Sequence, residues 1–152
     1  MTKQIGPKAL TSNLALKPFE RLIGEWQIIG SHPYLSGVEL RGRASFSWHE
    51  GGAFVILHSE IDNEKFPDGV EIFGSDNVSK EYFMLHFDER GVSRRYDVST
   101  EKDGIRWWRD DSEFSQRFSL VIHDDGTMSS TGKMRREGAD WEDDLTLVYK
   151  RV

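Results

Sequence analysis

The chain has 152 residues, 20 basic against 26 acidic, for a net charge of −6, with 37% hydrophobic and 30% charged residues and no cysteine. That length suits one domain with a core of its own. The acidic balance argues against a nucleic-acid partner, and the lack of cysteine excludes disulfides and thiolate chemistry.

Residues 1–13 are polar and mixed and read as a flexible N-terminal arm ahead of a single domain over 14–152. MTKQIGPKAL has no apolar core of a secretion signal, and no apolar run is long enough to span a bilayer, so a cytoplasmic protein with no membrane partner is expected. LALKPFERLIG then reads as one short helix. Pro18 suits its first position, Phe19, Leu22 and Ile23 share a face, and Gly24 ends it in the left-handed conformation. From Gly24 the period changes to two. Ten runs follow: GEWQIIG, VELRGRASFSW, AFVILHSEI, GVEIFGSD, EYFMLHFD, VSRRYDVST, GIRWWRD, FSQRFSLVIHD, TMSSTGKMRRE and DWEDDLTLVYKR. Short breaks such as EGG, PDG, ERG, EKDG and DDG separate most of them. A ten-stranded antiparallel meander closing into an up-and-down barrel accounts for this spacing and removes exposed edges.

Faces follow from turn lengths. A two-residue turn at Asp111-Ser112 puts Ile105, Trp107, Arg109, Phe114, Gln116, Phe118 and Leu120 on one face, and Trp108 on the other. The first is the inner face by composition, so Trp107 points in. A two-residue turn at Arg90-Gly91 groups Phe83, Leu85, Phe87, Arg94, Tyr96 and Val98 inside, and puts Met84 and His86 outside. Ala44, Phe46 and Trp48 face inward on the second strand. On the third, a bulged EGG turn puts Phe54, Ile56, His58 and Glu60 inside, and a two-residue turn would put Val55, Leu57, Ser59 and Ile61 there. The bulge is preferred because paired glycines supply its left-handed residue.

These faces gather Phe46, Trp48, His58, Arg94, Tyr96, Trp107, Arg109 and Gln116 as a ligand-binding set. An unpaired buried charge is costly. Arg94 and Arg109 therefore need partners: Glu60 or Asp143, water, or an anionic ligand. No motif for a metal or for nucleophilic catalysis is found.

The segments GEWQIIGSHP, GRASFSWHEGGAF, PDGVEIFGSD, FDERGVSRRYDV, WWRDDSEFSQRF and WEDDLTLVYKRV together resemble a widespread bacterial family of single-domain proteins related to nitrobindins and fatty-acid-binding-like barrels of the calycin, or lipocalin-like, superfold. The similarity runs from about Phe19 to the end. It implies a ten-stranded barrel with a short helix near the entry and Trp26 closing the floor. Nitrobindins hold ferric haem through a histidine close to the C-terminus, whereas the last histidine here is His123. Fatty-acid carriers hold a carboxylate with Arg-x-Tyr, a spacing that Arg94 and Tyr96 share by chemistry rather than position.

The expected function is non-enzymatic binding of a small, partly apolar, anionic or planar ligand in the barrel. The alternatives are haem or porphyrin binding with nitrogen-oxide chemistry through His58 or His32, and a small acid–base enzyme using His58 and Tyr96. A filled barrel acting as an interaction module is the fourth reading. An exposed apolar patch around Trp108, Phe54 or Met84 would mark that module or a homodimer face.

Overall fold

The computed structural model describes residues 13–152, so all but Asn13 of the expected N-terminal arm lies outside the described residues. Ten strands form: β1 (Gly24–Ser31), β2 (Leu40–Trp48), β3 (Val55–Ile61), β4 (Gly69–Ser75), β5 (Tyr82–Asp88), β6 (Ser93–Glu101), β7 (Gly104–Arg109), β8 (Phe114–Ile122), β9 (Met128–Arg136) and β10 (Glu142–Arg151). Each pairs antiparallel with its neighbour in sequence, and β10 pairs with β1, so the sheet is a closed barrel. No helix among the described residues is long and apolar enough to cross a membrane.

The N-terminal helix closes one end. It is a 3-10 helix over Leu14–Leu22, so Pro18 sits inside it and not at its first position. Asn13 caps it by accepting from the Ala15 N–H at 3.0 Å. Leu16, Phe19 and Leu22 are fully buried, each worth about 1.5–3 kcal/mol of apolar transfer. Phe19 packs on Phe73 and Tyr82, and the Tyr82 hydroxyl donates to the Ala15 carbonyl. Trp26 donates from Nε1 to the Leu22 carbonyl at 2.9 Å, under the Arg151 guanidinium. Gly24 does not cap the helix: it begins β1 at φ 143°, and Ile23 is the extended cap.

Three turns differ from their expected lengths. The β7–β8 hairpin pairs Arg109 with Gln116 and Trp107 with Phe118, a shift of two residues. Because side chains alternate with period two, a two-residue shift preserves the faces, and Trp107 still points in. The β5–β6 loop is three residues, Glu89 to Gly91, with the Asp88 N–H donating to Val92 and Gly91 at φ 83°. That is the bulged three-residue turn, which needs glycine at its left-handed position. It moves the register by one: Met84 meets Tyr96 and His86 meets Arg94. Met84 and His86 therefore face in, while Phe83, Leu85 and Phe87 face out.

The β2–β3 connection is six residues, His49 to Phe54, with Phe54 stacked on His49 and Trp48 paired to Val55. Val55, Leu57, Ser59 and Ile61 consequently face in, and His58 and Glu60 are exposed. Outside the barrel, Ile56, Ile72 and Leu85 form one cross-strand row and Val70 and Phe87 the next. This apolar stripe lies away from the residues expected to form a patch: Met84 is buried, and Phe54 and Trp108 are half-buried.

Candidate functional site: the barrel lumen

The end opposite the helix opens on a cavity of about 370 Å³, within the range of small-ligand pockets. Its deep walls are apolar, with Phe46, Phe73, Ile105 and Leu120 among them, and Trp107 stacks on Phe118 with centroids 5.4 Å apart. Its mouth is polar, and eight of the polar side chains there fall into two bonded groups, to which Tyr34 adds only its backbone.

The first group begins at a fold irregularity. Between Asp143 and Thr146 the β9–β10 register shifts, so Asp144 and Leu145 both line the cavity. Strand parity alone would turn Asp144 outward with Val148; the bulge re-aims it. Asp144 is 7% exposed. Its Oδ1 accepts from the Leu145 N–H at 2.7 Å and meets His32 Nε2 at 3.1 Å, and its Oδ2 accepts from Gln116 Nε2 at 2.9 Å. Gln116 Oε1 in turn accepts from the Tyr96 hydroxyl. The Tyr34 N–H donates to His32 Nδ1 at 3.0 Å, which leaves the His32 proton on Nε2, facing Asp144. In this run the His32 Nε2–H and the Tyr96 O–H are both committed. Burial raises the Tyr96 pKa, against the lowering charge and hydrogen bond of Arg94. Beneath it the buried Tyr149 is pushed up to about 12 by burial, opposed by a hydrogen bond with Ser130.

The second group centres on His86. Its Nδ1 lies 2.8 Å from Glu71 Oε1 and its Nε2 lies 2.9 Å from Asp88 Oδ2. Burial pushes its pKa down, but the two carboxyl partners outweigh burial and the net shift is upward. Asp88 also accepts from Arg90 at 2.7 Å, and that hydrogen bond, with those from His86 and the backbone, holds it well below the usual carboxylate range despite burial. Glu71 Oε2 is buried with no hydrogen-bond partner among the described residues. Leaving a buried acceptor unmet costs about 1–3 kcal/mol.

Arg94 stands between the groups. It lines the cavity with its guanidinium 5.2 Å from the Phe114 ring centre, and among the described residues it makes no salt bridge. Neither carboxylate expected to meet it is available: Glu60 is exposed, and Asp143 faces out and bonds Lys133.

Of the eight residues expected to bind ligand, Phe46, Arg94, Tyr96, Trp107 and Gln116 line the cavity. Trp48 packs against the core without lining it. Arg109 ends β7 outside the lining and pairs with Asp111 at 3.5 Å. His58 is on the outer surface, which separates it from Tyr96 and removes the expected acid–base pair. Glu71, His86, Asp88 and Asp144 were not among the expected residues. The glycine third in the Glu-Arg-Gly loop signals the bulged turn that brings His86 inward; nothing local signals the bulge at Asp144.

Haem fits this lumen poorly. His32 and His86 have both ring nitrogens engaged, and His58 points away. Among the described residues no group of three or more histidine or acidic side chains is arranged to hold a metal ion.

No family model and no curated protein matches the chain. In structure it is similar to Rv2717c from M. tuberculosis, at 18% sequence identity and a TM-score of 0.66, over 93% of this chain and 99% of that one, which shows a shared barrel fold.

Proposed function

We propose that the barrel is a binding protein for a small, partly apolar ligand whose anionic or acceptor end is held by Arg94. One observation carries this reading: among the described residues Arg94 is a lumenal cation without a carboxylate partner, while His32, Asp144, Gln116 and Tyr96 on one side and Glu71, His86, Asp88 and Arg90 on the other are bonded among themselves. A guanidinium offers a fork of donors suited to a carboxylate, phosphate or sulfonate. Below it, Trp107, Phe118 and Phe46 supply apolar contact for a ring or chain. Gln116 and Tyr96 fix the wall beside Arg94. The resemblance to fatty-acid carriers, whose Arg-x-Tyr spacing recurs at Arg94 and Tyr96, agrees with this reading. The resemblance to nitrobindins agrees with a lumenal ligand, but the lumenal histidines, His32 and His86, have no free nitrogen for haem.

The test uses two fluorescent probes, anilinonaphthalene sulfonate and N-phenylnaphthylamine, which differ by the sulfonate. Arg94→Leu is expected to weaken the sulfonate about tenfold or more, the loss of a hydrogen bond to a charged group, and to leave the neutral amine nearly unchanged. An equal loss for both probes would sink the Arg94 anchor.

A further inference from the structure

The unmet Glu71 oxygen specifies the ligand further. Glu71, His86 and Arg94 occupy one cross-strand row: Glu71 is the register partner of His86, and His86 that of Arg94. His86 spends both nitrogens on Glu71 Oε1 and Asp88, so it gives the lumen nothing. What the row presents, among the described residues, is a buried acceptor at one end, Glu71 Oε2, and at the other Arg94, a guanidinium with no carboxylate partner. Among the described residues no donor reaches Glu71 Oε2, and the neighbouring Tyr96 hydroxyl is committed to Gln116.

Resting on the Arg94 reading above, we infer that the ligand carries a hydrogen-bond donor at the same end as its anionic group, as a hydroxy or amino carboxylic acid does. The donor satisfies Glu71 Oε2 and the carboxylate meets Arg94. A simple fatty or aryl acid satisfies only Arg94 and leaves Glu71 desolvated and unmet, so the lumen discriminates against it. Sites built to bond a particular O–H or N–H reject analogues that lack it, because the protein group is then stranded.

Three matched acids test this by displacement of anilinonaphthalene sulfonate: phenylpropanoate, phenyllactate and the O-methyl ether of phenyllactate. The ether keeps bulk and oxygen but has no donor. Phenyllactate is expected to bind about tenfold tighter than both others, the ratio that a hydrogen bond to a charged group supplies. Glu71→Leu should erase that preference. Glu71→Gln, which conserves size if the leucine variant does not fold, turns an amide donor to the ligand, so hydroxyl and ether should bind alike. Equal binding of all three acids to the unmodified protein, or a preference that survives both substitutions, overturns the donor. Failure of all three to displace the probe overturns the Arg94 reading itself, and this inference with it.

Discussion

His86 and Asp88, two residues apart at the end of β5, share a hydrogen bond of 2.9 Å from Nε2 to Oδ2, and Arg90 reaches the same oxygen at 2.7 Å. Since His86 also faces Glu71, one imidazole is held between two carboxyl groups at the lumen wall.

This arrangement predicts a pH dependence whose sign follows from the direction of each shift. The folded-state pKa of His86 is above its ordinary 6.5. Its contribution to stability is therefore complete below 6.5 and is lost as pH rises through the folded value. Asp88, whose pKa is depressed from 3.8, contributes above 3.8 and loses its contribution only as pH falls through its folded value in acid. Thermal melts of the unmodified protein should show a melting temperature that falls as pH climbs past 6.5. His86→Gln should flatten that fall. A variant that declines in parallel with the parent would show that the titration belongs elsewhere.

Asp144 holds three donors together, so its removal strands His32, Gln116 and the Leu145 N–H at once. Asp144→Ala is expected to cost about 2–4 kcal/mol in denaturant unfolding. Asp144→Asn should cost clearly less. The new amide can donate to Gln116 Oε1 if the glutamine amide turns over, after which Gln116 donates to Tyr96 and the hydrogen-bond chain runs in reverse. Equal loss for the two variants would mean that the carboxylate's charge, rather than its hydrogen bonding, is what the wall needs.

The orientation of β5 can be read by paired lysine substitutions. Met84 is 3% exposed inside the barrel, and Leu85 is half-buried on the outer stripe. Met84→Lys places an ammonium among apolar residues and should unfold the protein or cost more than about 3 kcal/mol. Leu85→Lys can extend its charge into water and should cost less than about 1 kcal/mol. The opposite ranking would restore the two-residue turn at Arg90-Gly91 and expel His86 from the lumen.

The barrel, its ten strands and the inward faces of β6, β7 and β8 are legible in the sequence because alternation survives errors of two. Arg94, Tyr96, Trp107 and Gln116 were found that way. Errors of one are fatal to a face. The three-residue loop before β6 inverts β5, and the six-residue connection before β3 inverts that strand, so His86 and His58 exchange inside for outside. Asp144 is hidden for a different reason. A bulge changes parity within a strand, and alternation cannot show it; opposite it on β9, between Thr131 and Lys133, stands Gly132, a position at which a Cβ would come 2.4 Å from the Phe118 ring. Asp143, next in line by simple alternation, was the carboxylate expected in its place.

Closure of β1 on β10 has a consequence for how this molecule can meet others. Every strand has a partner on both sides, so the ring offers no unpaired backbone ladder on which a second chain could extend the sheet. Growth by strand addition, the common route from a β-rich protein to fibrils, is shut off while the ring is intact. For the described residues recognition by other macromolecules goes through side-chain surfaces, and strand addition to the ring must begin with a broken strand pair, at the β1–β10 closure or at a hairpin.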